Sequence, residues 1–155
     1  MQSPIRKLVG AAACAILLAL SSCASLQHGW DQGAVKDVAD LINSGQSQKL
    51  AAMSVTPFLV DQEIVLLKPD VAAFWDGVVK AGFRVQGAAL EAASSTEAGS
   101  YTQFANTMEV KSFFARYVKK DTRVLRMSTS SGAHILLLMR SEWFSRQLIG
   151  FKGPF

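Results

Sequence analysis

Three side chains in this sequence carry groups that are suited to acid–base chemistry. Asp61 and Glu63 flank a predicted hairpin turn, and His134 opens an apolar run near the end of the chain. A carboxylate or an imidazole in a pocket can transfer protons to or from a bound substrate when a partner group orients it. The alternative is a solvated turn for the two carboxylates and a structural rim position for His134. The sequence favours this alternative, because no partner carboxylate or tyrosine stands at a recognisable spacing.

Other ingredients of an active site are scarce. His28 is the only other histidine, and two isolated histidines without spaced carboxylates do not predict a metal site. The sequence contains no Gly-rich phosphate loop, no nucleophile elbow and no Ser/His/Asp arrangement of recognisable spacing. We therefore expect no metal and no cofactor, and the sequence favours a protein that is not an enzyme, without deciding the point.

Aromatic side chains offer a second kind of site, an apolar ligand pocket. Phe74 and Trp75 fall on one predicted helix, and Phe113, Phe114 and Tyr117 fall on another. Aromatic residues at helical spacing more commonly belong to a core, so this second interpretation stays open beside the first. The candidate ligand-binding residues are Trp75, Phe113, Tyr117, His134, Asp61 and Glu63.

A basic run follows the second of these helices. Such a run can contact phospholipid headgroups or anionic glycans. The commoner role is a solvated helix end, where Lys side chains complement the helix dipole. The run is formed by Arg116, Lys119, Lys120, Arg123 and Arg126, with Asp121 among them.

The beginning of the chain has the architecture of a signal peptide. Arg6 and Lys7 precede an uncharged apolar segment, Leu8–Leu20, which is followed by small residues. This segment is well short of the roughly 20 apolar residues that a membrane-spanning helix needs. We therefore expect an export signal over residues 1–22.

The stretch Leu20-Ser21-Ser22-Cys23 resembles the lipobox of bacterial lipoproteins, which consists of an aliphatic residue, two small residues and a cysteine. The resemblance implies that Cys23 is acylated and becomes the first residue of the mature chain, with three acyl chains that hold it stably on a membrane. Ala24 follows instead of the aspartate that retains such proteins in the inner membrane, which implies the periplasmic side of the outer membrane. The alternative is an ordinary secretory signal that is cut within residues 23–25.

These features constrain the mature chain. Cys14 would leave with the signal and lipid would block Cys23, so neither a disulfide nor a cysteine metal ligand would remain. Removal of Arg6 and Lys7 would lower the net charge from +4 to +2, which does not indicate a nucleic-acid partner. We expect a lipidated N-terminus and tether over residues 23–31 and one α+β domain over residues 32–155.

The hydrophobic pattern predicts helices and strands in alternating groups. The helices are Gln32–Ser44, a short turn at Ser47–Met53, Pro69–Gly82, and a fourth that a capping box of Asn106 and Glu109 begins. The strands are a hairpin over Ser54–Leu67, then Phe83–Ala92, Arg123–Thr129, His134–Arg140 and Arg146–Gly153, with a mobile loop over Ser94–Ala105. The run Ile135–Met139 is apolar without alternation, which predicts a central strand that is covered on both faces.

The stretch Leu41–Leu50, leading into Pro57-Phe58, looks like the opening of NTF2-like (SnoaL-like or ketosteroid-isomerase-like) domains. The resemblance implies an α+β fold in which a curved antiparallel sheet wraps a long helix and forms a cone with a pocket. Enzymes of this fold use an aspartate near the pocket. The helix after Asn106 departs from the pattern, and the broader cystatin-like architecture accommodates it.

Two functions follow from these features. The first is a membrane-anchored envelope lipoprotein that acts as a non-enzymatic binding or scaffolding domain. The alternative is an NTF2-like pocket protein that binds or slowly transforms a small apolar molecule. The expected partners are the membrane, through the N-terminal lipid, and either an envelope protein or a small apolar ligand.

Overall fold

A computed structural model describes residues 25–143 and 145–155 of the chain. The expected signal peptide and Cys23 lie outside these residues. The helices are α1 (residues 25–43), α2 (Ser47–Met53), α3 (Lys68–Lys80) and α4 (Met108–Tyr117), with a 3-10 turn at Ser100–Gln103. The strands are β1 (Ser54–Val60), β2 (Glu63–Val65), β3 (Ala89–Ser95), β4 (Thr122–Ser128), β5 (His134–Glu142) and β6 (Ser145–Lys152).

The six strands form one curved sheet in the order β2-β1-β6-β5-β4-β3. The prediction of an α+β fold with helices packed on a curved sheet is confirmed. The prediction of an antiparallel sheet was wrong in one place, because β1 pairs with β6 in parallel. This pairing joins the hairpin β1–β2 to the antiparallel strands β3–β6, so the sheet is mixed.

Three helices cover one face of the sheet, which we call the three-helix face. The apolar side chains on one side of α1 are buried, with Val38 and Ile42 fully buried. From α3, Val71 and Trp75 are fully buried on the same face.

Residues 25–31, expected to be part of a tether, are helical and form the start of α1. Asp31 within this segment is buried, and the ion pair with Arg123 on β4 compensates for the burial of its charge.

The helix α4 and the 3-10 turn cover the opposite face, which we call the α4 face. Phe113 of α4 packs there on strand residues such as Leu59 and Leu138. Strand β5 supplies both faces, because successive side chains point in opposite directions. Ile135, Leu137 and Met139 join the three-helix face, whereas Leu136 and Leu138 join the α4 face. The prediction of a central strand covered on both faces is confirmed.

Strand β3 begins later than the sequence predicts. Residues 83–88 lie outside the sheet and contain a turn at residues 86–87. The Asn43 side chain occupies both backbone groups of Val85, so these groups are not free to pair with a strand. Its Nδ2 donates to the Val85 carbonyl at 2.8 Å, and its Oδ1 accepts from the Val85 amide at 2.7 Å. Gly87 lies in this turn with φ of 60° and is not a bulge within a strand. A Cβ at Gly87 would stand 2.9 Å from the Ser130 Cβ.

Two further local predictions need correction. The N-cap of α4 is Thr107, whose hydroxyl accepts from the Val110 amide at 3.2 Å, and not the predicted Asn106. The loop expected over Ser94–Ala105 is folded, since it contains the end of β3 and the 3-10 turn and buries Phe104. The hairpin β1–β2 is confirmed, and Pro57 lies at an irregularity of the β1–β6 pairing.

Candidate functional site

The two predicted carboxylates lie at an exposed hairpin tip. Asp61 has a positive φ of 52°, a conformation that Asp tolerates better than most residues. Its Oδ1 accepts a hydrogen bond from the Gly153 amide at 3.0 Å, and its own amide donates to the Phe151 carbonyl at 2.9 Å. Glu63, the first residue of β2, is exposed. These contacts give Asp61 a structural role in the turn, beside the end of β6.

His134 lies at the start of β5, and its Nδ1 stands 2.8 Å from Oε2 of Glu91. The same oxygen lies 3.1 Å from Nε of Arg126. Neither Nδ1 of His134 nor Nε of Arg126 is aligned for a good hydrogen bond to this oxygen. No pattern in the sequence predicts this contact, because Glu91 lies at an irregularity of the β3–β4 pairing, between Leu90 and Ala92.

Trp75 is a core residue and does not line a cavity. It is 0% exposed, and its indole N–H donates to Oγ of Ser54 at 2.9 Å. The Ser54 hydroxyl in turn donates to the Leu50 carbonyl at 2.8 Å. The Trp75 ring packs edge-on against Phe74 and Phe151, at centroid distances of 4.8 and 5.3 Å. Helical spacing predicted core or pocket, and the structure places Trp75 in the core.

The remaining aromatic candidates belong to the α4 face. Phe113 is 1% exposed, whereas Tyr117 is 43% exposed and borders a shallow groove between α4 and β2. Trp75 and Phe113 therefore lie on opposite sides of the sheet. The six residues proposed from the sequence do not form one site.

A groove of about 680 Å³ lies between α1, α2 and the turn that joins β5 to β6. We call it the rim groove. Its apolar walls come from Trp30, Leu41, Met53 and Trp143, and its polar lining from Asp37, Asp40, Gln46, Lys49, Ser141 and Arg146.

Arg146 organises one wall of the rim groove. Its guanidinium pairs with the carboxylate of Asp37 and lies 5.6 Å from the ring centroid of Trp30, a cation–π contact. A Cβ at Gly33 would come within 2.5 Å of Nη2 of Arg146, so the glycine leaves space for the guanidinium beside α1. These contacts fix α1 against β6 and hold the Trp30 ring at the groove.

A second ion pair fastens the beginning of α1. Nε and Nη2 of Arg123 each lie 2.7 Å from one oxygen of Asp31, which is a bidentate pair. On the exposed side of α1, the hydrogen bond and the negative charge of Asp40 raise the pKa of Lys36. Asp40 therefore reaches the rim groove already paired with a cation. No pattern in the sequence predicts the Asp31–Arg123 pair, because 92 positions separate the two residues.

The rim groove can bind a ligand with an apolar face and polar edges. Among the described residues, no group of three or more His, Cys, Asp or Glu side chains is placed to hold a metal ion.

The described helices include none that is long and apolar enough to cross a membrane. No known protein family, characterised protein or solved structure shows significant similarity to the chain.

Proposed function

We propose that the chain is an envelope lipoprotein, anchored through an acylated Cys23, whose NTF2-like domain acts as a binding or scaffolding module. The expected location of the protein is the periplasmic side of the outer membrane. The lipobox resemblance of Leu20–Cys23 supports the anchor. Element order supports the NTF2-like proposal, since α1, α2, the hairpin β1–β2 and α3 come first in the chain, and the three helices cover one face of a curved sheet that the later strands complete.

The observation that carries the binding role is that side chains fill the space between α1, α3 and the sheet. Phe58, Trp75 and Leu137 are each 0% exposed there. Asp61, Glu63 and His134 lie at exposed or half-exposed positions outside this core. The site that we assign to a partner is the rim groove, where Lys49 is accessible.

The binding role is tested by photo-crosslinking in intact cells. A photoreactive amino acid replaces Lys49 in the rim groove and, as the matched control, Gln62 at the hairpin tip; both positions are exposed. We expect a discrete covalent adduct at position 49 and none at position 62. Absence of an adduct at position 49 would contradict binding at this groove.

The anchor has a separate test. Labelled palmitate should enter the wild-type protein and fail to enter Cys23→Ser. Equal labelling of the two proteins would exclude Cys23 as the acylated residue and leave the crosslinking result unaffected.

A second candidate function is the binding of a small apolar molecule. The apolar walls of the rim groove favour it, and its volume falls within the range of about 300–1,000 Å³ that is common for ligand sites. An anilinonaphthalene sulfonate dye should bind the wild type and lose affinity in Leu41→Asp. The control Leu66→Asp, at the groove beside α4, should leave dye binding intact. Equal loss in both variants would contradict a site in the rim groove.

A further inference from the structure

We propose that one end of the domain docks directly on the phospholipid surface, through Leu26, Trp143, Lys119 and Lys120, which we call the membrane face. The proposal rests on the lipid anchor proposed above, and it adds an orientation. A lipid on a flexible tether would leave the domain free to turn, whereas a docked face fixes which surfaces the domain presents to partners.

Three segments meet at this end of the molecule. Leu26 from the beginning of α1, Lys120 from the α4–β4 connection and Ser141 from β5 line one cavity of about 520 Å³. Ser141 also lines the rim groove, together with Trp143 at the tip of the β5–β6 turn. The pairing of β4 with β5 explains the proximity, because Thr122 lies opposite Arg140 and the residues next to each lie at the same sheet end.

Two exposed apolar side chains lie at this end. Trp143 is 91% exposed and Leu26 is 75% exposed. A tryptophan ring is favoured at the headgroup level of a bilayer, because its apolar body and its indole N–H both find suitable surroundings there. Trp143 also has a positive φ of 56°, so the tight turn carries the ring at its tip. These features favour a lipid interface over free solvent.

The charges at this end are mixed. Lys119 and Lys120 are exposed, and their long stems can lie along apolar surface while the ammonium groups reach phosphate. Asp121 and Glu97 lie close to them along the same surface, and Glu142 stands 3.6 Å from Arg140. Attraction to anionic lipid is therefore partly cancelled. We infer that the insertion of apolar side chains contributes more than charge does.

The proposed lipid anchor would lie close to the membrane face. Ser25 is the first described residue of α1, and an acylated Cys23 would be two residues before it. Two residues extend at most about 7 Å. An acylated cysteine would therefore hold the bilayer surface close to Leu26, beside the other residues of the membrane face.

The test is tryptophan quenching in the acylated, full-length mature protein as it is purified from membranes. The protein is reconstituted into vesicles of phosphatidylethanolamine and phosphatidylglycerol that carry brominated acyl chains. Flotation of the vesicles reports the anchor, and quenching reports the docking. Trp143→Phe isolates the signal of Trp143, because Trp30 and Trp75 remain in both proteins.

We expect strong quenching in the wild type and loss of most of it in Trp143→Phe, with an unchanged unfolding temperature since Trp143 is exposed. The matched control Met108→Ser, at the exposed groove beside α4, should keep the wild-type quenching. The double variant Lys119→Glu with Lys120→Glu should reduce quenching by a smaller amount. Equal quenching in wild type and Trp143→Phe overturns the proposal.

The outcomes separate docking from anchoring. A protein that floats with the vesicles but shows no Trp143 quenching overturns the membrane face and leaves the anchor standing. A protein that carries no acyl chain but still shows Trp143 quenching supports the membrane face and removes the anchor. If Trp143 instead crosslinks to a protein in cells and is not quenched by lipid, the face is a protein interface and the proposal fails.

Discussion

The two faces of the sheet are covered in different ways. Three helices that precede β3 cover the three-helix face, and the Asp31–Arg123 ion pair connects the first of them to β4. The α4 face is covered by one helix and a 3-10 turn, which both belong to the connection between β3 and β4. We infer that the three-helix face determines the global stability of the domain, whereas the α4 face forms a local layer.

The largest effect should come from the centre of the three-helix face. Trp75→Ala should lower the free energy of unfolding by about 4 kcal/mol, because it leaves a cavity and removes the hydrogen bond to Ser54. Urea denaturation followed by circular dichroism measures the change. Trp143→Ala is the matched control, because that ring is exposed, and it should leave the midpoint unchanged. A loss below about 1 kcal/mol for Trp75→Ala would contradict the central role of this face.

The α4 face should respond locally. Phe113→Ala should cost about 3 kcal/mol where its ring packs against Phe114 and Tyr117. Amide hydrogen exchange should accelerate over Met108–Tyr117 and change less over residues 34–42. Equal acceleration in both segments would show that the two faces unfold as one unit, which would remove the distinction between them.

The ion pair of α1 should have an intermediate effect. Asp31→Asn removes the charge that faces the guanidinium of Arg123 and should cost about 2 kcal/mol, below the usual range for a fully buried pair because Arg123 is partly exposed. Asp37→Asn is the matched control, since the Asp37–Arg146 pair is more exposed. Chemical denaturation of both variants compares them. Equal losses would show that burial does not distinguish these two pairs.

The smallest effect should come from the cap of α4. Thr107→Ala removes the hydroxyl that accepts from the Val110 amide and should cost about 1 kcal/mol. Asn106→Ala should leave the unfolding midpoint unchanged, because Asn106 is not the N-cap. The reverse ranking, measured by thermal unfolding of both variants, would restore the capping box that the sequence predicts.

Patterns in neighbouring residues predicted several elements. Helical spacing indicated α1, turn residues between apolar runs indicated the hairpin β1–β2, and a continuous apolar run indicated β5. The start of β3 did not follow, because Asn43 holds Val85 from a distant part of the chain. A propensity pattern contains no information about such a long-range hydrogen bond.

The candidate site shows the same limit. Helical spacing marked Trp75 and Phe113 as inward-facing, but spacing does not reveal on which side of a sheet each helix packs. The contact of His134 with Glu91 depends on the register between β3 and its neighbouring strands, which the spacing of residues along the chain does not predict. The exposure of Trp143 could have been predicted from the sequence, because a tryptophan in a short turn between two strands has few neighbours to bury it.

The parallel pairing of β1 with β6 also affects how the chain acquires its structure during synthesis. Strand β6 comes last among the strands, yet it lies between the hairpin β1–β2 and strand β5. A chain that emerges from its N-terminal end cannot join the two parts of the sheet until β6 is available. Such non-local pairing is slow to form. Completion of the sheet is therefore delayed until after the synthesis of β6, and until then β1 and β5 each lack one neighbouring strand.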